Sequence, residues 1–236
     1  VPATLTDEQA VLIDSLATCL QAVGDHRPTP GCTVAVYGAG ITGQHTVRLL
    51  RALAPGVRIL AIARHAFQAE LAHRGGADTV LRTPDRRTLA AAAHATFIPT
   101  TLGGGNLLGG VDTVFDCVGS TRSLQDGILL TRPRGKVVVV GSLARVGPLD
   151  LSALWARELT LVGTSCSDSL EHEGRRVATY ALALQLVADG RISLTGLEPC
   201  VLPLARYAAA FAMAFDKARH PHLKIALDPR AAEGPP

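Results

Sequence analysis

Residues 33–43 read Thr-Val-Ala-Val-Tyr-Gly-Ala-Gly-Ile-Thr-Gly, and the fold is decided there. A short apolar run, 33–37, ends directly in the spacing Gly38-x-Gly40-x-x-Gly43. A helical pattern opens at Thr42 and runs to Leu53, where Pro55-Gly56 stops it. Strand, glycine turn and helix in that order are the setting in which this spacing has a mechanism. Gly38 permits a tight turn, Gly40 lets a pyrophosphate approach the backbone, and Gly43 lets helix and strand pack closely. The helix start, with Ile41 and Thr42 in its first turn, offers free N–H groups and a positive dipole end to phosphates.

Downstream, the alternation continues. Strands are expected at 57–63, 78–81, 111–117, 136–140 and 159–163, with helices at 66–74, 85–96 and 120–130 and a glycine-rich loop at 100–110. Such a series predicts an α/β fold: a doubly wound parallel sheet of the Rossmann type with helices on both faces. Upstream, residues 1–30 read as a leading helix and linker. Thr6 caps the helix, and Ala10, Leu12, Ile13, Leu16, Leu20 and Val23 form its apolar stripe. Residues 31–195 are expected to form the dinucleotide-binding domain. Residues 196–236 are expected to form a strand–helix–strand return with a frayed tail. Within that last third, the pattern predicts a long helix over 170–189, a strand at 199–202, a helix at 204–217 and a closing strand at 223–227.

Composition narrows the function. The 236 residues are 47% hydrophobic and 18% charged, an ordinary globular balance that excludes a disordered chain. The formal charge of +3 gives no footprint for nucleic acid. No apolar run approaches the length of a membrane span, and the start is not that of a signal peptide. The five cysteines, Cys19, Cys32, Cys117, Cys166 and Cys200, form no CxxC pair. Neither a disulfide framework nor a structural zinc lobe is expected, and a reducing cytoplasm fits best. The chain starts at Val1 and its only methionine is Met213, so the reading expects either a removed leader or a part of something longer.

Two further positions specify the ligand. An NAD site places Asp or Glu roughly 20 residues past the glycine turn; here Ala63 stands there, followed by Arg64 and His65. A small residue followed by Arg favours a 2′-phosphate, so NADP(H) is expected over NAD(H). Two strands end in Cys117-Val118-Gly119-Ser120 and Val140-Gly141-Ser142, leaving room for a flat ring beyond the carboxyl ends of the sheet.

Taken together, TVAVYGAGITGQHTVRLLRAL, RGGADTVL, GVDTVFDCVGSTRSLQDGILLTRPRGKVVVVGS, ELTLVGTS and HLKIALDP resemble the zinc-type medium-chain dehydrogenase/reductases over nearly the whole chain. The resemblance implies the coenzyme half of an alcohol or polyol dehydrogenase acting on a small alcohol or carbonyl substrate. It implies that Thr164, Ser165 and Cys166 lie near the nicotinamide and that Lys224 reaches the pyrophosphate. The family's N-terminal catalytic domain, with its zinc ligands and proton relay, has no counterpart here. Where the family often has Glu-Pro-Leu near its zinc, this chain has Asp14-Ser15-Leu16. One carboxylate without His or Cys partners makes no zinc site. The chain is therefore expected to hold no zinc and to show no turnover alone. His220-Pro221-His222 reads as a surface loop. A non-catalytic NADP(H)-binding subunit remains the alternative; a methyltransferase fits less well. The resemblance also implies a homodimer joined through the sixth strand, with residues 146–151 beside it. A second apolar surface is expected on 204–215.

Overall fold

The computed structural model describes residues 5–99, 105–142, 145–166 and 169–231. Two helices lead in, α1 (Asp7–Ala10) and α2 (Ile13–Asp25). Thr6 caps α1 through a reciprocal pair: the Gln9 N–H donates to Thr6 Oγ1 and the Thr6 N–H donates to Gln9 Oε1. The expected single helix is thus broken at Val11 and Leu12.

The main body runs β1 (Thr33–Tyr37), α3 (Ile41–Leu53), β2 (Arg58–Ala63), α4 (Ala66–Arg74), β3 (Thr79–Arg82) and α5 (Arg86–Ala92). A short hairpin follows, β4 (Thr96–Ile98) and β5 (Asn106–Leu108). Then come β6 (Val111–Asp116), α6 (Thr121–Leu130), β7 (Thr131–Val139), α7 (Ser152–Ala156) and β8 (Thr160–Gly163). Six strands form one parallel sheet in the order β3-β2-β1-β6-β7-β8. Connectivity reverses between β1 and β6, and in such sheets ligands bind at that switch point, beyond the carboxyl ends. Alternate residues of β1 serve opposite faces. Val34 and Val36 pack with Leu16, Leu20 and Ile59; Ala35 packs with Leu60, Val114 and Ile128. Both faces are dry, as a sheet covered by helices on two sides requires.

Beyond β8 lie a hairpin, β9 (Ser169–His172) and β10 (Arg175–Ala178), then α8 (Thr179–Ala188). The long helix expected over 170–189 is therefore corrected: nearly its first half is a hairpin. Glu173 and Gly174 carry φ of 52° and 74°. Two consecutive left-handed residues make the tight turn that suits a hairpin and that no α-helix accommodates. Leu170 then packs onto α2 at Gly24, where a Cβ would come within 2.7 Å of it. The glycine-rich stretch is corrected too, since residues 106–108 are a strand paired with 96–98; residues 100–104 lie outside the described residues. The helix expected over 85–96 ends at Ala92, because His94 takes a φ of 53° and turns the chain.

The return segment is β11 (Cys200–Pro203), a single 3-10 turn (Leu204–Arg206), α9 (Tyr207–Phe215) and β12 (Ile225–Asp228), with β11 and β12 paired parallel. Tyr207, Phe211 and Phe215 recur every fourth residue and stand exposed in this chain. β8 is an edge strand, as expected, and presents a partly exposed Leu161; Trp155 of α7 is largely exposed.

Candidate functional site

The glycine turn sits where β1 meets α3. Gly38 has a φ of +95°, and a Cβ on it would strike Val118 Cγ2 at 2.4 Å. Gly43 lies against the turn itself: a Cβ there would be 1.8 Å from the Gly38 carbonyl oxygen. Gly40 differs from both. It is the extended N-cap residue of α3, and a Cβ on it would meet nothing within 4 Å. Open space thus lies in front of a helix start that has no side-chain cap and no acidic residue in its first turn. That is the shape and charge an anionic pyrophosphate requires.

A buried amide braces the turn from behind. Gln44 is fully buried, and its Nε2 donates to Ala39 O at 3.1 Å and to Gln68 O at 2.9 Å. Its Oε1 accepts from Arg48 Nη1 at 2.9 Å. Next to it His45 is also fully buried, and neither ring nitrogen has a hydrogen-bond partner.

Beyond β6 a carboxylate that the sequence reading passed over organises the next turn. Asp116 Oδ1 accepts the N–H groups of Val118 (2.9 Å) and Gly119 (3.1 Å), and Oδ2 accepts the Ser123 hydroxyl (3.0 Å). Its backbone carbonyl accepts from Val140 and Gly141, both at 2.9 Å. Burial pushes the carboxyl above the usual carboxylate range, against the pull of those donors. The result is backbone packed on backbone. A Cβ on Gly119 would come within 2.7 Å of Ser142 O, and one on Gly141 within 2.5 Å of the Val118 carbonyl carbon. The ends of β1, β6 and β7 are therefore in one contact row. An open cleft of about 480 Å³ adjoins them, lined by residues 139–142 and 161–166 and by Thr18 of α2. Val140, Gly141, Ser142, Thr164, Ser165 and Cys166 are thus together. Cys117 contributes only its backbone there. Its thiol faces Thr46 Oγ1 at 3.5 Å, and burial raises it well above the ordinary thiol value.

At the other end of the row, Arg64 is exposed just past β2, and no carboxylate pairs with it among the described residues. The structure adds two cations to it. Arg82 stands opposite Ala63 in the β2–β3 register, and Lys217 arrives from the segment after α9. His65 lies among the three. Desolvation first, then Arg64, Lys217 and Arg82, lower its pKa from the ordinary value. Arg82 could have been found from strand register; Lys217 carried no signal in the sequence. Lys224 donates to Val11 O at 2.7 Å and sits close enough to His45 to oppose its protonation.

Among the described residues the donor side chains do not assemble a zinc site. Asp14 accepts the Tyr180 hydroxyl, and its charge, after burial, helps to raise the Cys166 thiol. Among the described residues no three His, Cys, Asp or Glu side chains gather into a metal-sized group. His220 and His222 lie in a turn whose N–H groups bond to Asp216 O and His220 O.

Comparison with known proteins agrees with this fold. A putative D-xylulose reductase of Rhizobium meliloti is 28% identical over 228 residues, covering 97% of this chain and 60% of that protein. A putative zinc-binding dehydrogenase of Sinorhizobium meliloti, solved bound to NADP, superposes with a TM-score of 0.69 at 25% identity, covering 90% of this chain and 57% of that one. An Escherichia coli alcohol dehydrogenase complexed with NADH shares the fold with a TM-score of 0.72 at 19% identity, over 93% and 59% of the two chains. The chain spans 50–60% of the length of the curated relatives it matches. Among the described residues no helix is long and apolar enough to cross a membrane. The model of the zinc-binding dehydrogenase family matches residues 42–189, more than half of the chain, and with the glycine turn and the crevice in place the protein belongs to that family.

Proposed function

We propose that this chain is the coenzyme half of an NADP(H)-preferring alcohol or polyol dehydrogenase. The observation that carries the preference is the group of Arg64, Arg82 and Lys217 around His65, with no carboxylate paired to any of the three among the described residues. A 2′-phosphate is doubly anionic near neutral pH, and guanidinium groups grip it through charge-assisted hydrogen bonds. A free ribose hydroxyl would find no acid to receive it.

When bound, the nicotinamide supplies or accepts a hydride at C4. The chain's own residues bind and orient it. Gly38, Gly40 and Gly43 shape the phosphate turn, and the N–H groups of Ile41 and Thr42 face the pyrophosphate. Val118, Gly119 and residues 140–142 wall the ring, and residues 164–166 close its far side. Lys224 is the further cation proposed for the pyrophosphate, on release from Val11 O. The electrophile and the proton route of the reaction are assigned to groups outside these 236 residues, so secondary alcohols with NADP⁺ should give no turnover with this chain alone. That result would equally suit a non-catalytic binding subunit.

The same proposal keeps residues 31–195 as the binding domain between a leading helix (1–30) and a return (196–236). It places the protein in the cytoplasm, with its five cysteines free, and pairs two copies through the β8 edge. Calorimetric titration tests the cofactor preference. NADPH should bind more tightly than NADH, and Arg64→Ala should weaken NADPH by about 1.5–3 kcal/mol while leaving NADH nearly unchanged. Equal affinities in the unaltered chain would overturn it.

A further inference from the structure

At the opposite pole from the crevice, a cleft of about 390 Å³ opens between the last turns of α3 and α4 and the loop after α8. Four guanidinium groups line it: Arg48, Arg51, Arg74 and Arg191. They are not equally committed. Arg51 is spent on structure, donating to Gly76 O and Asp78 at the starts of the strands. Arg74 and Arg191 each touch one exposed carboxylate, Glu70 and Glu173, at 3.5 Å. Exposed pairs of that length are weak and yield to a competing anion.

Arg48 is the unusual member. It is partly buried and pairs with no carboxylate among the described residues. Its donors reach only neutral oxygens: Gln44 O, Gln44 Oε1 and Thr195 O. It lies flat against Gly75, where a Cβ would approach its Nη1 to 2.8 Å. Desolvation, and then Arg74, disfavour its charge, and Glu198 only partly offsets them. Buried charges are ordinarily paired. Ser193 and Thr195, whose hydroxyls bond to each other at 3.0 Å, complete the lining with groups suited to oxyanions.

We propose that this cleft is a binding site for the phosphate group of a small molecule, held by Arg48, Arg74 and Arg191 with Ser193 and Thr195, and separate from the cofactor's phosphate turn. Arg forks match tetrahedral oxyanions in geometry as well as charge, and the volume accommodates the phosphate with a small organic body.

The test is calorimetric titration of the 236-residue chain with glycerol 3-phosphate and with inorganic phosphate, using glycerol as the uncharged control. Saturable binding of either phosphate, without binding of glycerol, is expected. Arg191→Gln, at an exposed position that should not disturb folding, should weaken it about tenfold, and Arg48→Gln should weaken it more. Gly40→Val, which blocks the phosphate turn, should leave it unchanged. Absence of saturable binding, or binding lost in Gly40→Val and indifferent to Arg191→Gln, would overturn the proposal.

Discussion

Replacing His45 with Leu should make the protein more stable and flatten its response to acid. His45 is fully buried, both ring nitrogens lack partners, and its pKa falls to about 3, chiefly by burial and then through Arg48 and Lys224. In the unfolded chain it returns to about 6.5. Between those values the unfolded state binds a proton that the folded state refuses. Stability therefore rises with pH across this window and is lost as pH falls below about 6.5. At about 1.4 kcal/mol per pH unit, the loss reaches ~2.7 kcal/mol at about pH 4.5 and ~4.4 kcal/mol near pH 3, where the folded-state imidazole is itself half protonated. Against a total of about 5–15 kcal/mol this is a large share. Leucine of similar bulk removes the proton linkage and the unpaired polar atoms, so a gain of about 1–3 kcal/mol is expected at neutral pH as well. The assay is urea unfolding followed by far-ultraviolet circular dichroism at the two pH values. Fluorescence is a poor reporter, because Trp155, the only tryptophan, is already 84% exposed. Subtracting variant from parent cancels every other titrating group. An identical pH dependence in the two proteins, or a His45 resonance titrating near pH 6.5 in the folded state, would refute the reasoning.

Three further outcomes follow from named contacts. Gly40→Val should keep the fold and abolish binding of both nicotinamide cofactors, since its side chain would fill the open space before α3; affinity within about threefold of the parent would make the turn purely structural. Gly43→Ala should cost about 3 kcal/mol or more, because the added carbon meets a backbone oxygen that cannot rotate away; thermal melts superposing on the parent's would contradict it. Leu161→Lys should turn a dimer into a monomer in light scattering by placing a charge on the joined β8 edge; a parent chain already of monomer mass at micromolar concentration would remove the dimer.

What could be read in the sequence was set by local geometry. The glycine turn announced itself because its spacing is local: Gly43 must pack against Gly38 five residues before it, and Gly38 must take a positive φ. The parallel sheet followed from strand and helix periods, and the edge position of β8 from its place in the series. The hairpin at 169–178 was illegible because its apolar residues also fit a helical stripe, and only the turn at Glu173-Gly174 decides between them. The cation group was one-third legible. Arg64 follows the second strand directly, but Arg82 depends on strand register and Lys217 on how the return segment folds back. Asp116 stood one residue before the motif that was read, yet its role depends on three donors that only the folded turn brings to it.

The Gln44 amide gives the phosphate turn a sense of direction. Arg48 can only give protons and the carbonyls of Ala39 and Gln68 can only take them, so the amide has one permitted orientation. Turned over, it would face donor with donor and acceptor with acceptor in a dry interior. Glutamate, with the same length, would present an acceptor to two acceptors; leucine would remove the amide from both carbonyls and leave Arg48 only its backbone partners. The carbonyl of the middle residue of Gly38-Ala39-Gly40 is thus pinned by a side chain one turn along its own helix, and the peptide that must turn its N–H groups outward is denied the freedom to turn over. A surface that strangers to the chain would have to fit is held rigid from inside, before anything arrives.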